Sequence, residues 1–189
     1  MHPPSAPTPH LRTVLGFSLV EALVCIAILG ILASLAAIPL RSALERQRIA
    51  ATRTELLAAL QWARWEALRR NATVTLVRRT DCTTALPHGD AWHCGWHVVA
   101  GQHITKTSVI DPADILQTFG LPQGVRLAHP GGGPLLQFAR SGYPVLVAHK
   151  FIVGLPADDG TGVADTPHAT TLCMNRTGRV RTLEGTTTC

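Results

Sequence analysis

Gly16 to Leu40 reads GFSLVEALVCIAILGILASLAAIPL, and the fold is decided in this stretch. From Phe17 to Leu40 there is one charged residue, Glu21, and from Ala22 onward there is none. A helix crossing a bilayer needs ~20 apolar residues, and this run is long enough. Helices in soluble cores are rarely apolar on every side. A cleaved secretory signal fits poorly, because its apolar region is ~7–15 residues and carries no acid in its first turns. Glu21 therefore stands out. A carboxylate within a membrane segment is costly, is usually functional, and requires a partner. Ahead of the run, residues 1–16 (MHPPSAPTPHLRTVLG) hold four prolines in the first nine positions, which excludes a helix there.

The remainder has the composition of one folded domain. Of 189 residues, 46% are hydrophobic and 15% charged, with 17 Lys+Arg against 12 Asp+Glu. That balance excludes a disordered polyelectrolyte tail. Fifteen of the cations are arginine, the exceptions being Lys106 and Lys150. Residues 41–189 are enough for a single domain. From residue 41 to about 70, Leu44, Ile49, Leu56, Leu60, Ala63 and Ala67 form a helical stripe. Arg41, Arg48, Arg53, Arg64 and Arg69 occupy the other surface, read as a solvated helix face. After Asn71 the pattern shortens to β-like runs at Thr73–Arg79, Gly95–Ala100, Leu135–Ala139, Val145–Val153, Thr170–Met174 and Gly178–Leu183. Turn-rich stretches separate them, so the expected class is α+β, mostly antiparallel.

The junction Gly16-Phe17-Ser18-Leu19-Val20-Glu21, followed by an unbroken apolar helix, resembles the class III leader of type IV pilins and type II secretion pseudopilins. Three further segments resemble the GspH/FimT subgroup. They are Trp92-His93-Cys94-Gly95-Trp96, the strand and turn Phe138-Ala139-Arg140-Ser141-Gly142, and Asn175-Arg176-Thr177-Gly178-Arg179-Val180-Arg181. The resemblance implies a pilin fold, with a long N-terminal helix whose first half is transmembrane and whose second half packs on an antiparallel sheet. It implies three regions: a leader at 1–16, a membrane and filament-core helix at 17–40, and a periplasmic head at 41–189. A prepilin peptidase would cut after Gly16 on the cytoplasmic side. The new Phe17 amine would be methylated, and Glu21 would pair with that amine on a neighbouring subunit. The partners implied are other pilins or pseudopilins and the inner-membrane assembly machinery. The N-terminus would be cytoplasmic, although Arg41, Arg46, Arg48 and Arg53 after the span run against the positive-inside rule.

Cys25 lies within the span, and Cys82, Cys94, Cys173 and Cys189 lie beyond it. Four cysteines on an oxidising side form two disulfides by one of three pairings. Neighbour pairing, Cys82–Cys94 and Cys173–Cys189, is the expectation. His88, His93 and His97 near Cys82 and Cys94 follow no zinc spacing. Asp158, Asp159 and Asp165 do not follow the EF-hand order. No metal or other cofactor is expected. The chain also holds no nucleophile elbow, P-loop or HExxH helix, so catalysis is not expected.

Near the end, Arg179 and Arg181 should point the same way along a strand, with Cα atoms ~6.6 Å apart. Arg176 sits in the turn beside them, and Glu184 is the one nearby acid. Guanidinium groups suit bidentate phosphate contacts that read no sequence. No aromatic lies between these arginines in sequence, so a stacking platform for single strands is not expected. The G-R-x-R ending, at Gly178, Arg179 and Arg181, resembles that of FimT-type minor pilins, which act as DNA receptors in natural transformation. Double-stranded DNA is thus the implied ligand. The alternative is a GspH-type pseudopilin, a structural component of protein export.

Overall fold

The structure is a computed structural model. It describes residues 17–82, 90–101, 104–105, 109–146, 148–159 and 162–189, and at 35–39 the backbone alone. The leader 1–16, with its cleavage position Gly16, lies outside the described residues, as does His88. Helix α1 runs Leu19–Arg70. The chain divides into two compact units, residues 1–41 and 42–189.

In the first unit α1 is apolar and exposed, with Leu19, Val20, Leu23, Ile26, Leu29 and Ile31 all more than half open. Among the described residues no helix is long and apolar enough to cross a membrane.

In the second unit, the rest of α1 presents Ile49, Leu56, Ala59, Leu60, Ala63 and Ala67 to the core, all buried. Their spacing of three, four and seven keeps them on one side of the helix. Leu44, expected in this stripe, is 43% exposed, so the buried face begins at Ile49. Thr52 is buried within the stripe because its hydroxyl donates to the Arg48 carbonyl at 3.0 Å. Arg69 and Arg70 close the helix, and Asn71 takes the left-handed conformation (φ 49°) that ends it.

Eight strands follow: β1 Val74–Arg78, β2 Trp96–Ala100, β3 Ile115–Phe119, β4 Arg126–Ala128, β5 Leu135–Phe138, β6 His149–Gly154, β7 Thr170–Met174 and β8 Val180–Glu184. They form two four-stranded sheets, β3-β2-β1-β5 and β4-β6-β7-β8, antiparallel throughout. The core joins the helix stripe to both sheets through Leu76, Trp92, Trp96, Leu136, Phe138, Phe151 and Leu172. Gly95 has φ 89°, and a Cβ there would collide with the Phe119 carbonyl. Only glycine lets the chain pass that close to β3 and deliver both Trp92 and Trp96 to the core.

The strand expectations need three corrections. β6 starts at His149, four residues later than the apolar run suggests, because Val145 and Leu146 are exposed on a loop. β8 starts at Val180, with Gly178 and Arg179 in the preceding turn. β3 and β4 were not expected at all. β3 is an edge strand with no in–out alternation, and β4 is three residues long.

Candidate functional site

The hairpin joining β7 to β8 is built by Asn175. Its side-chain oxygen accepts hydrogen bonds from Thr177 N (3.0 Å), Thr177 Oγ1 (2.8 Å) and Arg179 N (3.0 Å). The Gly178 N–H donates to the Asn175 carbonyl at 2.9 Å, and the Asn175 N–H donates to the Arg179 carbonyl at 3.1 Å. Gly178 has φ 75°. A three-residue hairpin loop with a left-handed glycine is a favoured connection, and an asparagine that bonds its own turn reinforces it. The N-x-x-G-R pattern is therefore a recipe for one rigid turn.

This turn fixes the arginines. The β7–β8 register pairs Arg181 with Cys173 and Val180 with Met174. Arg179 continues that ladder opposite Asn175, so Arg179 and Arg181 lie on one face while Val180 packs against the core. Arg176, Arg179 and Arg181 are exposed. With Asn175, Met174 and Cys173 they line one cleft of about 610 Å³.

The distribution of acids leaves this cluster uncompensated. Arg53 pairs with Glu184 at 2.8 Å, Arg69 and Arg70 both pair with Glu66, and Arg79 pairs with Asp81 at 2.7 Å. Those contacts hold the Glu66 carboxyl down at about 2. Glu184, the one acid expected near the cluster, is thus taken by the helix. Among the described residues Arg176, Arg179 and Arg181 have no carboxylate partner.

Two neighbours of the turn were not anticipated. Arg64, assigned from sequence to the solvated helix face, is half-buried and reaches the turn. Its Nη1 lies 3.2 Å from where a Gly178 Cβ would sit, and Pro144 Cδ lies 3.5 Å from the same point. The Arg64 guanidinium also stands over the Tyr143 ring, 5.9 Å from its centroid. An aromatic thus adjoins the arginines after all. No local signal marks the contact, because residues 64, 143 and 178 meet only through the tertiary fold.

The other expected site residues are placed as follows. Phe17 is 78% exposed and Glu21 lies in the first turn of α1. Cys82 is joined to Cys94 (Cα–Cα 5.5 Å) and Cys173 to Cys189 (Cα–Cα 5.8 Å), while Cys25 is a free, exposed thiol. His93 lies with Cys82 and Cys94 in one cluster of donor atoms within 4.8 Å. Both sulfurs are bonded to each other there, so they offer no thiolate to a metal.

A buried histidine pair sits apart from this surface. His129 Nδ1 faces the Gly133 carbonyl at 3.0 Å and its Nε2 faces His149 Nδ1 at 3.0 Å. The rings stack on each other and on Phe151. Desolvation lowers both pKa values to about 4, against the weaker opposing pull of Asp90 and Gly133 O on His129.

Comparison with known proteins agrees with this architecture. The family model described as type II transport protein GspH matches residues 52–188, and the prokaryotic N-terminal methylation motif matches residues 11–37. Among solved structures, the crystal structure of the type IV minor pilin FimU of Pseudomonas aeruginosa (strain PAO1), in space group P21, is similar with a TM-score of 0.53. The identity is 19%, over 75% of this chain and 92% of that one. The same pilin in space group P65 gives a TM-score of 0.49 at 19% identity, over 70% and 90% of the two chains. The comparison with curated proteins gives no match. With a family model covering nearly the whole head and a methylation motif at the apolar junction, the chain belongs to the GspH family of pilin-like proteins.

Proposed function

We propose that this chain is a minor type IV pilin of the FimT kind, which takes its place in a pilus and holds extracellular DNA for natural transformation. The observation that carries this reading is the cleft lined by Arg176, Arg179 and Arg181, exposed and without carboxylate partners among the described residues. The rigid Asn175–Gly178 turn fixes the backbone that carries the guanidiniums, so binding has only their side chains left to order. Their ligand would be the sugar–phosphate backbone, held without sequence preference.

The assembly steps in this reading rest on the methylation-motif match over residues 11–37. A prepilin peptidase cuts between Gly16 and Phe17, Phe17 is N-methylated, and Glu21 meets that amine on a neighbouring subunit. The apolar half of α1 is first a single-pass anchor in the inner membrane, with the head in the periplasm. In the filament it becomes part of the core. The second reading, a GspH-type pseudopilin of protein export, draws on the description of the matching family model. The unpaired arginines favour the first.

The test is DNA binding by the full chain in detergent, with and without Arg179→Gln plus Arg181→Gln, titrated with salt. Log affinity should fall against log salt with a slope of about −0.9 per phosphate neutralised, and the double variant should lose most of the binding. Failure to bind at low salt, or binding indifferent to the two arginines, would favour the export pseudopilin.

A further inference from the structure

Tyr143 is the chain's only tyrosine, and it is 51% exposed beside the arginine turn. Four contacts fix its place. The Ala139 N–H donates to the Tyr143 carbonyl at 2.8 Å, and the Gly142 N–H donates to the Ala139 carbonyl at 2.7 Å, which closes a tight turn. Gly142 lies against Leu68 of α1, whose Cγ is 3.0 Å from where a Cβ would sit on that glycine. The Arg64 guanidinium stands over the ring, and the same group touches the Gly178 turn next to Pro144. Tyr143 is joined to the arginine-bearing turn through Arg64 and Pro144, and Arg64 covers one face of its ring. A fixed, half-open aromatic next to a turn that carries unpaired guanidiniums has the two parts that single-stranded nucleic acid requires: a π-face for a base and cations for the phosphates. An intact duplex needs only the second part.

Resting on the DNA reading above, we propose that Tyr143, positioned by Arg64, is a base-stacking position of this surface, and that the surface takes DNA with an exposed base. A single strand and a frayed duplex end share that chemistry. The phosphates flanking the stacked base lie on Arg176, Arg179 and Arg181.

The experiment measures binding of the full chain in detergent to a 20-nucleotide single strand and to its blunt duplex. The variants are Tyr143→Ala, Tyr143→Phe and Arg179→Gln plus Arg181→Gln. Tyr143→Ala should weaken single-strand binding about tenfold, within the worth of one stacked base, and change duplex binding by less than about twofold. Tyr143→Phe keeps the ring and should bind as the parent does. Photocrosslinking with a 5-bromouracil-containing strand should modify Tyr143, a readout that a purely structural role would not produce. A frayed-end duplex that responds to Tyr143→Ala where the blunt duplex does not would add the second ligand source. Equal binding by Tyr143→Ala and the parent, or equal weakening on both probes, overturns the stacking proposal while loss in the arginine variant leaves the DNA reading standing. Failure of the parent chain to bind either probe overturns both.

Discussion

The buried His129–His149 pair makes the head sensitive to acid between about pH 6.5 and pH 4. Well above pH 6.5 both rings are neutral whether the chain is folded or not, and the pair costs nothing. Below that, the unfolded chain takes up two protons that the folded chain refuses until about pH 4. Folded-state values that lie below the unfolded ones mean stability present above pH 6.5 and lost as pH falls toward 4. Each ring differs by roughly 2.5 pH units between the two states, worth about 3 kcal/mol. At pH 4 the pair together removes about 6 kcal/mol, out of a total stability of ~5–15 kcal/mol for a domain. Burial is the main cause for both rings, and the geometry adds to it at His129. If His129 Nδ1 donates to Gly133 O, then His129 Nε2 must accept from His149 Nδ1, and a proton on that Nε2 would set two donors face to face at 3.0 Å. Urea unfolding followed by tryptophan fluorescence at pH 7, 6, 5 and 4 measures the loss. His149→Leu removes one ring and should reduce the loss between pH 7 and pH 4 to about 3 kcal/mol. Stability that is flat to within about 1 kcal/mol between pH 6.5 and 4.5, or an equal fall in the parent and the variant, would refute this account.

Other changes should act locally. Gly178→Ala forces a side chain into a left-handed position against Arg64 and Pro144, and should cost about 1–2 kcal/mol, read as a lower Tm. Removing the Cys173–Cys189 bridge by Cys189→Ser opens a closure of 16 residues and should cost about 3 kcal/mol, seen as a lower urea midpoint under non-reducing conditions. Glu66, buried between Arg69 and Arg70, has its pKa lowered to about 2, so its contribution is present above about pH 4.5 and is lost as pH falls toward 2. Glu66→Gln should be less stable at pH 7 and should lack that acid-range decline, which stability measurements from pH 5 to pH 2 would reveal.

Much of the fold was legible because its signals are local. The helix stripe from Ile49 to Ala67 announces itself by period, and the Asn175–Gly178 turn by residue type. β3 was not legible because an edge strand that is half-buried on both faces carries no alternation, and β4 because three residues make no pattern. Tyr143 was missed as a neighbour of the arginines, and Arg64 was misread as solvated, because both facts arise where a loop, a helix and a hairpin converge. The two buried histidines had no local mark either. Each sits among residues that say nothing of what will cover it.

The arginine-bearing strand β8 is also an edge of its sheet, with Arg181 and Glu184 along it. An exposed edge invites another strand to add to it, and charged side chains discourage that addition. The same guanidiniums that would receive an anion thus also discourage another strand from adding to this edge. Replacing Arg181 with an apolar residue would remove the anion contact and the edge protection at once. A loss of soluble protein could then be mistaken for a loss of binding, and glutamine is the replacement that separates the two.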